Sequence, residues 1–127
     1  MKDMMGLPVN TYGLCAGRHP IPVEEYIFDG EIDPMDFESM DKAAKEWFRR
    51  KRREKALPCG VRDNGGRYVT PPINLAVTGL TAALMAFLNS AMDYGISVVL
   101  WHFDREVGVY KPQEIRVPPF VDPDYVG

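Results

Sequence analysis

The feature that most constrains this chain lies between residues 73 and 103. Ile73 to Val77 is a short apolar run, and Ile96 to Phe103 (Ile-Ser-Val-Val-Leu-Trp-His-Phe) is a longer one rich in β-branched and aromatic residues. Both read as buried strands. Between them, Ala82 to Asp93 has the composition of a helix and stops at Gly95, where a left-handed residue suits a helix end. Two apolar strands joined by a helix pair in parallel through a right-handed crossover, since an antiparallel pair needs only a tight turn. Asp104-Arg105-Glu106-Val107-Gly108 then reads as a hairpin turn into another strand, Val109 to Val117. The expected fold is therefore α/β, with a mixed sheet, one right-handed strand–helix–strand crossover and a C-terminal hairpin.

The 127 residues suffice for a single small domain with one core. Its composition, 46% hydrophobic and 26% charged, is that of a globular chain rather than a disordered one. Upstream of the crossover the signals are weaker. Residues 1–22, carrying Gly6, Pro8, Gly13, Gly17, Pro20 and Pro22, read as an irregular arm. Val23 to Phe28 is a strand candidate closed by the Asp29–Gly30 turn signal. Asp33 and Pro34 suit the cap and first position of a helix whose apolar stripe is Phe37, Met40, Ala44, Trp47 and Phe48. Residues 49–72 form a basic insertion rich in proline and glycine, in which Tyr68 and Val69 suit a brief strand, and 118–127 is a tail.

Several function classes are disfavoured by the same reading. Leu80 to Met92, the longest largely apolar stretch, falls short of the roughly twenty residues that span a bilayer, so no membrane association is expected. Cys15 and Cys59 match no zinc spacing and are too few for a disulfide framework, which suits reduced thiols and a cytoplasmic protein. A net charge of −3 gives no general preference for nucleic acid.

Four places have residue types that suit chemistry. In Thr78-Gly79-Leu80-Thr81, between a strand end and a helix start, free backbone N–H groups and the helix dipole favour an anion. Gly79 allows a phosphate close to the backbone, and the hydroxyls of Thr78 and Thr81 are further donors; the bland alternative is a turn with a capping threonine. His102, Asp104, Arg105 and Glu106 place acids, a base and a cation at the C-terminal end of the neighbouring strand, the edge where open α/β sheets bind ligands. They equally describe a charged hairpin tip. His19, beside Arg18, suits either a phosphate contact or solvent. Arg49 to Lys55 holds six cations in seven residues, and residues 42–67 hold ten of the chain's fifteen. A helix dipole favours some of these, and anion binding is the other reading.

The order of these parts resembles the small manganese-dependent ring nuclease family of type III CRISPR systems, which acts on cyclic tetra-adenylate. The opening of that family is similar to Tyr26-Ile27-Phe28-Asp29-Gly30-Glu31-Ile32-Asp33-Pro34-Met35-Asp36-Phe37. Its Ser-Gly-Arg-Gly-Pro motif is similar to Thr78-Gly79, and its Asp-Pro-Arg-Leu-Gly motif to Asp104 with Gly108. The likeness covers about residues 23–40 and 73–116. The first motif's arginine falls on Leu80, the helix histidine near Ala86 with Asn89 the closest polar residue, and the second arginine on Glu106, next to Arg105. Of the family's presumed catalytic set only the aspartate is kept in place.

The resemblance implies a ring-nuclease-like protein that binds a cyclic oligonucleotide messenger in antiviral defence, carried by a host, a mobile element or a phage. Thr78, Gly79, Thr81 and Arg105 would bind the ligand, with the 49–55 cations as further charge balance. Asp104 and His102 would be the catalytic groups if it is cleaved, and manganese is the cofactor implied. A ligand with local symmetry suits a homo-oligomer, a dimer or tetramer, with two copies of the loops around a two-fold axis. Loss of the arginines and the histidine favours sequestration or slow cleavage. The alternative is a non-enzymatic interaction module that holds a protein or nucleic-acid partner through the basic helix end.

Overall fold

The structure, a computed structural model, describes residues 6–16, 21–23, 25–57, 61–62, 68–69 and 71–116, with only the backbone at 61–62 and 68–69. Its elements in chain order are β1 (Tyr12–Cys15), β2 (Tyr26–Phe28), α1 (Phe37–Arg53), β3 (Val61–Arg62), β4 (Tyr68–Val69), β5 (Ile73–Ala76), α2 (Thr81–Asp93), β6 (Val98–Asp104) and β7 (Val109–Ile115). Five strands form one mixed sheet in the order β2-β1-β5-β6-β7, while β3 and β4 form a separate antiparallel pair. The strand–helix–strand unit is present: β5 and β6 run parallel, from Ile73↔Val98 to Ala76↔Trp101, and α2 joins them. The hairpin is present too, β6 and β7 pairing antiparallel from Val98↔Ile115 to Asp104↔Val109.

The arm reading is corrected. Tyr12–Cys15 is not irregular but an interior strand, parallel to β2 on one side and to β5 on the other. Gly13 hides it in the sequence, and the structure gives that glycine a purpose. A Cβ there would stand 2.5 Å from the Tyr26 ring, so the strand stays bare where the ring crosses it.

The two faces of the sheet are covered differently. Leu14, Ile73, Leu75, Val98 and Leu100 face the helices, packing with Met40, Ala44, Trp47 and Phe48 of α1 and Ala83, Phe87 and Ala91 of α2. Trp47 and Phe48 meet edge to face, ring centres 5.0 Å apart, and Phe48 meets Phe87 at 5.1 Å. By strand alternation Val99 and Trp101 point the other way. There they join Leu7, Ala76 and Tyr110 in a smaller cluster that Ile21 and Val23 help to cover. Ile21 and Val23, between β1 and β2, thus lie on this second face, and α1, between β2 and β5, on the first.

Helix ends are set by local hydrogen bonds. The start at Asp33–Pro34 is corrected: Asp33 closes a turn, its carboxylate accepting from Met35 N–H at 3.0 Å and its carbonyl from Asp36 N–H at 3.0 Å. Asp36 is the cap instead, accepting from the backbone N–H and the hydroxyl of Ser39 at 3.1 and 2.7 Å. Starting there leaves Phe37 in the first turn and exposed, so the buried stripe is Met40, Ala44, Trp47 and Phe48 without it. Both helices finish in the same motif, with a left-handed residue one place past the C-cap. In α2 this is Gly95 (φ +67°), with Gly95 N–H bonded to Met92 C=O and Ile96 N–H to Ala91 C=O. In α1 it is Lys55 (φ +56°), with Lys55 N–H bonded to Arg52 C=O and Ala56 N–H to Lys51 C=O.

The edge strand β7 carries Pro112, which lacks a donor, between the exposed charges of Lys111 and Glu114. Among the described residues no helix is long and apolar enough to cross a membrane. The tail, Arg18, His19 and Cys59 lie outside the described residues.

Candidate functional site

Strand order reverses between β1 and β5. From β1 the chain steps to β2 on one side, then returns past β1 to build β5, β6 and β7 on the other. The loops leaving the two central strands therefore diverge to opposite faces, and a crevice opens outside their carboxyl ends. This is where open α/β sheets bind ligands. A cleft of about 610 Å³ lies there, lined by Cys15 and Ala16 from β1, Asp29, Gly30, Glu31 and Ile32 after β2, and Leu80 after β5. A second hollow of about 430 Å³ lies against the same 29–32 loop and reaches Asp36 and Ser39 at the start of α1.

Thr78 holds the floor of the crevice together. It is buried, donates its hydroxyl to Cys15 C=O at 2.9 Å and accepts from Cys15 N–H at 3.1 Å. The end of β5 is thereby tied to the end of β1, so this hydroxyl is committed to a joint. Gly79 follows with φ +96°, a conformation that disfavours any side chain. Leu80 is the N-cap of α2, and no side chain caps that end; Thr81 is the exposed first residue of the helix. The capping role expected of Thr78 or Thr81 is thus not filled by either, and α2 starts next to the cleft-lining Leu80 with no side-chain cap.

The hairpin residues stand one strand further along the same edge. His102 and Asp104 share the helix-facing side of β6 with Leu100 by alternation. The His102 ring nitrogen Nε2 lies 2.8 Å from Gln113 Oε1. Asp104 pairs with Lys111 Nζ at 2.7 Å and accepts from Glu106 N–H at 3.0 Å. The Lys111 hydrogen bond, followed by that of Glu106, holds its carboxyl below the usual aspartate range despite slight desolvation. Arg105 is exposed at the tip and forms no ion pair among the described residues. None of these three lines the cleft. Of the 78–81 turn the structure thus brings Leu80 to the cleft wall, with Gly79 and Thr81 on either side of it in the chain and Thr78 buried, while His102, Asp104 and Arg105 stand one strand along the same edge.

Two further placements were not legible from the sequence. The acidic wall, Asp29 and Glu31, reads in sequence only as turn chemistry; the signal that identifies it is β1, without which there is no reversal of strand order to find. The 49–55 cations lie at the wrong edge for the cleft. Helix α1 starts beside the end of β2 and finishes beside its beginning, where Arg50 and Lys51 pair with Glu25. Its 17 residues span about 26 Å, so the expected charge balance from this run is corrected.

No three His, Cys, Asp or Glu side chains converge as a metal-binding group among the described residues. The described residues thus offer no group that fits a protein-held manganese ion. Comparison with family models, curated proteins and solved structures finds no match.

Proposed function

We propose that this protein binds a nucleotide-type ligand, of the cyclic oligonucleotide class, in the crevice at the carboxyl edge of its sheet, and sequesters it. The observation that carries the reading is the reversal of strand order between β1 and β5 with a cleft of about 610 Å³ over it. That volume is in the range of small-ligand sites. Its two walls complement different parts of a nucleotide. A phosphate suits the uncapped first turn of α2 and the bare backbone of Gly79. Ribose hydroxyls or base N–H groups suit the carboxylates of Asp29 and Glu31, as acids after a neighbouring strand do in other nucleotide-binding sheets. A ring of several nucleotides outgrows one such cleft, and two copies around a two-fold axis would enclose it.

Retention is favoured over cleavage by the state of the two candidate catalytic groups. Asp104 is ionised and already engaged by Lys111 and a backbone N–H, and His102 by Gln113. A general base must stand within reach of the proton it takes, and both are turned to their own hairpin and line no part of the cleft. The test is a thermal-shift screen of cyclic and linear oligonucleotides, with chromatography of the recovered ligand. Binding at 100 times Kd stabilises by about 2.7 kcal/mol, a readily visible shift. Recovery of intact ring is expected. Rapid turnover lost in Asp104→Ala would restore an enzyme, and no stabilisation by any nucleotide would remove the site.

A further inference from the structure

The basic end of α1 is a surface the crevice does not use, and its charge is concentrated beyond what the helix needs. Residues 42–67 carry ten cations against three acids, while the rest of the chain carries five against fifteen. An acidic chain thus hides a strongly positive segment. Not all of it is available. Lys51 is largely buried under the rings of Tyr12 and Trp47 and paired with Glu25. Arg50 is shared between Glu25 and Glu54, and Arg49 pairs with Glu46. Lys45, Arg52, Arg53 and Lys55 are exposed and form no ion pair among the described residues. Lys45, Arg49 and Arg52 recur at four- and three-residue spacing, with Arg53 beside them, so they share the solvent side of the helix opposite the buried stripe.

Two observations separate this surface from an ordinary helix terminus. The dipole accounts for cations in the last turn only, whereas Lys45 and Arg49 stand further back. Lys55 occupies the left-handed position that α2 fills with glycine, so a charged residue is kept where glycine is conformationally cheaper. Arg52 is also held in place, its guanidinium 6.0 Å from the centre of the Tyr94 ring, which in turn stacks on Phe48 at 5.3 Å. From Lys45 to Lys55 the row is about 15 Å long, a line of charge rather than a pocket.

We infer that this row, Lys45, Arg52, Arg53 and Lys55, holds the phosphate backbone of a single-stranded nucleic acid without reading its sequence. A line of cations matches a line of phosphates, and the acids of the crevice, Asp29 and Glu31, lie at the other edge. The test is fluorescence anisotropy of a fluorescein-labelled mixed-sequence RNA oligonucleotide, its DNA counterpart and a fluorescein-labelled polyglutamate peptide. RNA and DNA are both expected to bind, and polyglutamate much more weakly. With four phosphates neutralised, raising salt from about 50 to 200 mM lowers affinity about 50-fold. Arg52→Glu with Arg53→Glu should abolish binding. Because Arg52 touches Tyr94, Arg53→Gln with Lys55→Gln is the second variant, expected to weaken binding several-fold at unchanged melting temperature. Absence of binding at low salt, equal affinity in both double variants, or equal affinity for polyglutamate overturns the inference.

Discussion

Replacing Thr78 by valine keeps the shape of the side chain and removes only its hydroxyl. That hydroxyl spans the point where strand order reverses, bonding both the N–H and the C=O of Cys15 across 63 residues of chain. Each such bond contributes about 0.5–1.5 kcal/mol net, so losing both lowers stability by about 1–3 kcal/mol. Thr78→Ser keeps both bonds and loses one buried methyl, about 0.8 kcal/mol. At about 4 °C per kcal/mol for a chain of this length, valine should lower the melting temperature by about 4–12 °C and serine by about 3 °C. Urea unfolding of the three proteins provides the energies, and equal slopes would show that their unfolded states are comparable. The serine protein should also keep any crevice ligand. If valine matches the wild type, or serine is as damaging as valine, the hydroxyl is not the joint described and the crevice floor is held by other contacts.

Trp47→Ala should destabilise by about 3–5 kcal/mol, read from urea unfolding, because the ring is buried between Tyr12, Phe48 and Phe87. Lys55→Gly should raise stability by about 1 kcal/mol by relieving the left-handed lysine, measured the same way, while weakening nucleic-acid binding. The Asp104 carboxyl should titrate below the ordinary aspartate value by NMR, since Lys111 and then Glu106 N–H stabilise its ionised form. Its contribution to hairpin stability is therefore complete above the unfolded aspartate pKa of about 3.9 and lost as pH falls through the lower folded value; Lys111→Ala should move the midpoint back up.

Legibility followed the strength of local signals. The β5–α2–β6–β7 unit could be read because each element is bounded by its own punctuation, the apolar run of Ile96 to Phe103, the terminator Gly95 and the turn at 104–108. The brief strand at Tyr68–Val69 was legible from its two residues alone, but not its partner Val61–Arg62. Helix α1 was legible in its stripe but not at its start, because Asp33 and Asp36 are both plausible caps and only the turn between them decides. β1 was hidden: four residues long, with Gly13 inside it and glycines and prolines around it, it owes its place to parallel pairing with β2 and β5, which are distant in sequence. Without β1 the sequence shows no reversal of strand order, and so no acidic wall at Asp29 and Glu31. The turn between β5 and α2 falls where the sequence places it, because it depends on one strand end and one helix start.

Both borders of the sheet discourage growth. On one side β2 offers only three residues, and on the other β7 interrupts its free row of donors with Pro112 and flanks it with Lys111 and Glu114. A passing extended chain finds little backbone to bond on either side. Heat-induced clumping should therefore start from unfolded molecules and not from native ones. Its rate should follow the unfolded fraction and be slowed by any substitution that raises stability, wherever in the chain it lies.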